Sequence, residues 1–246
     1  MDPYSDRGQM TRAQAAAAEI DVGLRRYMLQ VYNYMASGVA LTGIVAYVVA
    51  NTPAILQYFY VQTPLGLEPT MLAYVAMFSP LAFILVLSFG INRMNAATAQ
   101  LVFWLFAGVM GLSLTHIFLL YTGESITRVF FITAGTFGAM SLYGYTTKKD
   151  LSGWGSFLIM GLFGIIIAMV VNIFLQSSAL MFAISVIGVL IFVGLTAYDT
   201  QKIKEIYLVS DSDEVQGKKA IMGAVKLYLD FVNLMIMMLH LFGQRR

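Results

Sequence analysis

The chain has 246 residues, of which 59% are hydrophobic and only 11% charged, with a mean hydropathy of +0.76. A soluble domain carries roughly 25% charged residues, so this chain has too little polar surface to cover a globule in water and belongs in a hydrocarbon solvent. A net charge of +2 gives no footing for nucleic acid, and the lack of cysteine, with two distant histidines (His116 and His240), excludes disulfides, thiol chemistry and a zinc site.

The first 26 residues hold four arginines and four acids, with no apolar stretch ahead of a cleavage site, so they do not read as a secretory signal. They read as a polar arm. Within it, Thr11 to Arg26 forms either an Ala-rich helix lying at the membrane surface or a partly ordered tail. The helix would put Ile20, Leu24 and Tyr27 on one side. Beyond the arm, a spanning helix needs about 20 mostly apolar residues. Seven segments qualify, at roughly 29–50, 70–91, 99–121, 128–147, 154–175, 179–200 and 221–242. The expected fold is an all-α polytopic membrane protein, with the arm over 1–26 and a single seven-helix transmembrane domain over 27–246.

The connections are marked by composition. Residues 51–70 contain three prolines and little periodicity, and read as a loop over the external face. Short polar turns are expected at 92–97, 122–128 and 148–153. The stretch "SDSDEVQGKK" at 210–219 reads as the clearest aqueous loop. With the N-terminus inside, the cytoplasmic segments hold eleven Lys and Arg residues, among them Arg93, Lys148, Lys149, Lys218 and Lys219. The external segments hold three: Arg128, Arg245 and Arg246. That asymmetry predicts a cytoplasmic N-terminus. The tail arginines leave open a re-entrant seventh segment. Small residues one turn apart, Ala107 and Gly111, Ala134 and Gly138, Gly164 and Ala168, predict close helix packing. Thr115, His116 and Asn172 are read as helix-to-helix hydrogen-bonding groups.

The seventh segment holds Lys226, Asp230, Asn233 and His240, so it cannot face lipid all round and is expected at the centre of the bundle. A carboxylate also closes the sixth segment, at Asp199. A charge at bilayer depth costs about 2.5–3.5 kcal/mol on insertion scales. Two bland explanations exist: Asp199 reaches headgroup water, and Asp230 pairs with Lys226 one turn earlier. Because the two acids lie on consecutive antiparallel helices near the same face, a shared polar site is the stronger reading. Facing carboxylates can bind a cation such as calcium, share a proton, or activate water. The last is disfavoured. Intramembrane aspartyl proteases pair a Tyr-Asp with a Gly-x-Gly-Asp, and here Tyr198-Asp199 faces Leu227-Tyr228-Leu229-Asp230, with no glycine.

The runs "GLTAYDTQKI" at 194–203 and "LYLDFVNL" at 227–234 resemble the Bax-inhibitor family, the transmembrane Bax-inhibitor-motif proteins. "LTHIFLLY" at 114–121 and "GAMSLYGYTTKKDLSGWGSFL" at 138–158 are similar too, and the short arm suggests a bacterial member. The resemblance implies a last helix wrapped by the other six and a pH-sensitive calcium leak gated by two aspartates, at Asp199 and Asp230. It implies a latching arginine, for which Arg93 is the candidate; Lys226 is a second possible latch and also a departure that could weaken cation binding. The expectation is therefore a non-enzymatic calcium leak in the bacterial inner membrane, with calcium and protons as its ligands and no resident cofactor. No nucleotide motif suggests a pump. The alternative is an interaction protein that modulates a membrane protease, with the arm as its working part.

Overall fold

A computed structural model describes residues 12–64 and 66–246, with side chains described from residue 22 onward. The first eleven residues of the expected arm, Arg7 among them, lie outside the described residues. α1 runs unbroken over Arg12–Asn51. Its 40 residues span about 60 Å, twice the hydrocarbon thickness. The expected surface helix is thus the projecting end of the first span. Gly23 lies against the Tyr207 hydroxyl with no room for a Cβ. Tyr27, buried one turn later, stacks on Tyr207 at 5.5 Å.

The expected external loop is structured. α2 (Pro53–Phe59) leads into a hairpin of β1 (Tyr60–Thr63) and β2 (Gly66–Pro69). Tyr60 pairs with Pro69 and Thr63 with Gly66, whose φ of 121° is a glycine conformation. α3 (Met71–Gly90) ends in a 3₁₀ turn at Ile91–Arg93. α4 (Ala96–Ser113) and α5 (Thr115–Leu120) share the third span, offset at Leu114. α6 (Gly123–Thr146), α7 (Ser152–Leu175), α8 (Ser178–Glu205) and α9 (Asp213–Phe242) complete seven membrane spans among the described residues.

Capping side chains set most starts. Thr70, Asn95, Thr122, Ser177 and Ser212 each accept an amide from the first turn that follows. Ser212 moves the start of α9 well ahead of the expected boundary. Asp213 and Glu214 then sit in its first turn, where acids favour the helix dipole. Much of the predicted 210–219 loop is therefore helix, and only residues 206–212 connect α8 to α9.

The connections at 94–95, 147–151 and 206–212 lie on one face, here the basic face. The β hairpin and the short links at 121–122 and 176–177 lie on the other. α9 ends on the hairpin face. There its tail is clasped to the α5–α6 link: Thr122 N donates to Gln244 O (3.0 Å), Arg246 N to Leu120 O (2.9 Å) and Gln244 N to Ser125 Oγ (2.9 Å). α9 crosses the bundle once and is not re-entrant.

α9 packs directly on α1, α4, α6 and α8, with α3 against α4 and α7 against α8 as an outer layer. The expected six-helix wrap is thus four direct neighbours and two outriders. Of the predicted small-residue pairs, Ala107 and Gly111 do bring backbones together. Both are buried, Ala107 O accepts Thr42 Oγ1 at 2.8 Å, and a Cβ on Gly111 would stand 2.8 Å from Thr42 O. Gly138 and Gly164 face open space instead. The tightest crossing is one the sequence reading missed: Gly144 of α6 rests on the Ala197 backbone of α8.

Candidate functional site

α8 and α9 run antiparallel in a consistent register. Lys219 Nζ donates to Ile206 O at 2.8 Å, Gly223 lies against Ile203, and Gly188 lies against Met237. That register sets Asp199 opposite the turn from Lys226 to Asp230. Asp199 lies six residues from the basic-face end of α8, whereas Asp230 lies seventeen residues into α9 and twelve from its hairpin-face end, so the pair sits between the basic face and the middle of the bundle. The register turns the two carboxyl groups toward each other between α8 and α9. Asp230 is 5% exposed, and its Oδ2 has no hydrogen-bond partner among the described residues.

The Tyr-Asp-Thr-Gln block gives one residue to each neighbour, because successive helical residues point about 100° apart. The Tyr198 ring lies over Gly155 of α7. Asp199 faces α9. Thr200 Oγ1 meets Ser141 Oγ of α6 at 2.9 Å, and Ser141 meets the Tyr32 hydroxyl of α1 at 2.7 Å. Gln201 clamps the α6–α7 link, accepting from Leu151 N and donating to Lys149 O, both at 2.8 Å. The block is a hub that ties α8 to four partners. A family model described as "Inhibitor of apoptosis-promoting Bax1" matches residues 24–246, which include the hub and both aspartates.

The chain belongs to the Bax inhibitor family.

It is 50% identical over 226 residues to the protein RP147 of Rickettsia prowazekii, covering 92% of each chain. It is 46% identical to the inner membrane protein YbhL of Escherichia coli K12, over 91% of this chain and 94% of that one. A Caulobacter vibrioides protein is 44% identical, over 95% and 94%. Bacterial members of the Bax inhibitor family thus match this chain nearly end to end.

Lys226 does not pair with Asp230. Its Nζ lies 4.0 Å from Asp199 Oδ1, with the lysine side chain 55% exposed and the aspartate 16%. Arg93 is not brought to the pair. It is exposed on the 3₁₀ turn, and its neighbour Met94 accepts from Lys218, twelve residues or about 18 Å along α9 from Asp230. Thr115, His116 and Asn172 bond near their own helix ends. Thr115 Oγ1 donates to Gly111 O, His116 Nδ1 meets Ser113 O, and Asn172 Oδ1 accepts from Ser177 N. None of the three joins the pair. The Tyr32–Ser141–Thr200 hydroxyl chain was missed in the sequence. The signal available was a run of hydroxyl residues on otherwise apolar spans. A second chain of the same kind links Tyr228 to Thr42 at 2.6 Å.

Beyond the pair, toward the hairpin face, α9 buries Leu234, Met237, Met238 and Leu239. Those side chains are part of the apolar core. One stripe of α9 is not covered: Lys226 and His240 are exposed, and Leu229 and Asn233 are half-buried. Full shielding of this helix, expected from its polar residues, therefore fails along that stripe. Among the described residues no group of three or more acids or histidines gathers as a metal cage.

Proposed function

We propose that the chain is a calcium leak whose ion passes the Asp199–Asp230 pair, under control of pH. The observation that carries this reading is the buried juxtaposition of two carboxyl groups with one oxygen left unpartnered. Calcium takes six to eight oxygen ligands. Two carboxylates supply at most four, so the remainder must be water or backbone carbonyl. Such a half-built shell suits an ion in transit rather than one in storage. The uncovered stripe at Lys226 and Asn233 supports an aqueous approach, since polar side chains at bilayer depth are tolerated where water reaches them. Toward the hairpin face the buried Leu234, Met237 and Leu239 would, on this reading, bar the onward path of the ion.

The pair can hold one proton between its carboxyls, which ties α8 to α9, or release it and take a divalent cation. Lys226, 4.0 Å from Asp199, competes with the cation for that carboxylate. We place the basic face in the cytoplasm by the excess of Lys and Arg, in the same membrane as the inner membrane relative.

The test is calcium flux into liposomes holding only the purified chain. Asp199→Asn and Asp230→Asn keep the side-chain shape and remove the charge. Each is expected to change flux by about tenfold or more, the scale of a lost charged contact. Unchanged flux in both variants, with equal amounts of folded protein reconstituted, removes the pair from the mechanism. Absence of any flux in the parent removes the leak itself.

A further inference from the structure

On the flank of α1 away from the carboxylate pair, a groove of about 620 Å³ opens between α1 and α4 at the basic face. Its lining includes Arg25, Arg26, Gln30, Asn33, Tyr34 and Trp104. At 3.6 residues per turn, Arg26, Gln30, Asn33 and Ser37 fall within about 60° of one another and form a single stripe. At 1.5 Å per residue it descends about 16 Å from Arg26 to Ser37. Asn33 and Ser37 are exposed and Gln30 is half-buried. Ser37 is satisfied by its own helix, donating to Asn33 O and Tyr34 O. The side-chain amides of Gln30 and Asn33 have no hydrogen-bond partner among the described residues, and Arg25 and Arg26 have no ion-pair partner there.

Amide donors turned toward a bilayer are costly unless acceptors come to them. The order of chemistry down the groove specifies which acceptors. Two guanidinium groups stand at the mouth, amide donors follow about 6–10 Å deeper, and an aromatic wall of Tyr34 and Trp104, with ring centroids 6.3 Å apart, lies at that depth. A phospholipid presents phosphate, ester carbonyls and acyl chain in that same vertical order. Guanidinium groups favour phosphate. Two of them without a neighbouring described acid would repel a headgroup that carries its own cation. We propose that this groove binds one anionic phospholipid from the surrounding bilayer. Its phosphate sits on Arg25 and Arg26, its ester carbonyls accept from Gln30 and Asn33, and an acyl chain lies against Trp104.

The chain has only two tryptophans, Trp104 and Trp154. A Trp154→Phe protein therefore carries a single reporter inside the groove. It is reconstituted into phosphatidylcholine vesicles containing rising fractions of phosphatidylglycerol, or of phosphatidylcholine itself, brominated near the head of each acyl chain to quench tryptophan on contact. Quenching by the glycerol headgroup is expected to half-saturate at a several-fold lower fraction than quenching by the choline headgroup. Arg25→Gln and Arg26→Gln are each expected to reduce that preference by up to about fivefold, and the double variant to erase it. Arg25→Lys with Arg26→Lys should retain part of it. Identical curves for both headgroups in the parent overturn the proposal. So does a Trp104 shielded from both lipids while Trp154, in a companion Trp104→Phe protein, is quenched. A protein segment, such as a second copy of the chain, would then fill the groove.

Discussion

α7 and α9 are made of opposite material and stand in opposite places. α7 is the most apolar of the spans, yet only 17% of its apolar window is buried, against 67% for α9. Phe157, Met160, Phe163, Ile167 and Phe174 of α7 all point outward. α9, with a lysine, an aspartate, an asparagine and a histidine within its apolar stretch, is packed among four helices. In water this order would be inverted. In a bilayer an outward phenylalanine loses nothing, because lipid is as apolar as a protein core. A buried carboxyl has to find other polar groups. Between these two spans polarity, not hydrophobicity, goes with the interior place, and the polar hub between α8 and α9 is where function is sought.

The sharpest test of that contrast uses two glycines. Gly144 lies on the Ala197 backbone, whereas Gly164 of α7 has open space beside it. Gly144→Leu is expected to abolish monodisperse folded protein on size exclusion. Gly164→Leu should leave it unchanged. Equal tolerance of both would mean that α6 and α8 do not cross as described.

Next in size is a pair of deletions. Leu234 is fully buried in α9 and Phe163 is 62% exposed on α7. Leu234→Ala should lower stability to detergent-induced unfolding by about 2–5 kcal/mol. Phe163→Ala, though it removes more atoms, should cost far less. Similar losses would break the inside–outside ranking.

Acid should act on the inner helix pair and spare the outer layer. Protons and calcium compete for the same carboxyl oxygens, so calcium affinity should fall as pH drops from about 8 to about 6, by at most about tenfold per unit for one displaced proton. Calorimetric titration of parent and Asp199→Asn protein measures it. A flat parent affinity would sink the shared proton.

The smallest effect lies at the start of α7. The Ser152 hydroxyl and amide hold the exposed Asp150 carboxyl below the usual carboxylate range, with Ser152 N at 2.8 Å from Oδ1. A lowered pKa means that the folded chain favours the ion. Its contribution is therefore complete at neutral pH and lost as pH falls through the lowered value. Asp150→Asn should give a barely measurable drop in Tm at neutral pH, vanishing in strong acid.

Much of this architecture was legible because the bilayer imposes length and composition so strictly. Seven runs of about the right length, and a seventh too polar for lipid, were enough to give the spans and their centre. The hairpin at 60–69 was not legible. Strands of four residues carry too few alternations to register against three nearby prolines. The early start of α9 was readable: Ser212 followed by Asp213 and Glu214 is a helix-start signature, obscured by its overall charge. Within the site, Asp199 and Asp230 announced themselves as acids in apolar runs. The hydroxyl chain on the α6 side of the hub did not, because Tyr32, Ser141 and Thr200 are far apart in sequence and each is an ordinary residue in a membrane helix. The acid nearest Lys226 was hidden for a similar reason. One-turn spacing offers Asp230 as a bland alternative to the shared site, but the antiparallel register puts Asp199 nearer.

The central place of α9 also sets an order of assembly. A ribosome makes α1 through α8 before α9, yet α9 supplies the surface on which α1, α4, α6 and α8 meet. Six spans must enter the membrane around a gap and wait for the segment that fills it. Until then Ser141 can already bond to Thr200, and Gln201 to the Lys149–Leu151 backbone, but Asp199 has no opposite number and Thr42 has no Tyr228. A nascent chain stalled in the 206–212 link would leave that seam open to the lipid. Once α9 is in place, its tail closes onto Leu120, Thr122 and Ser125, and the last span made acts as the keystone of the six before it.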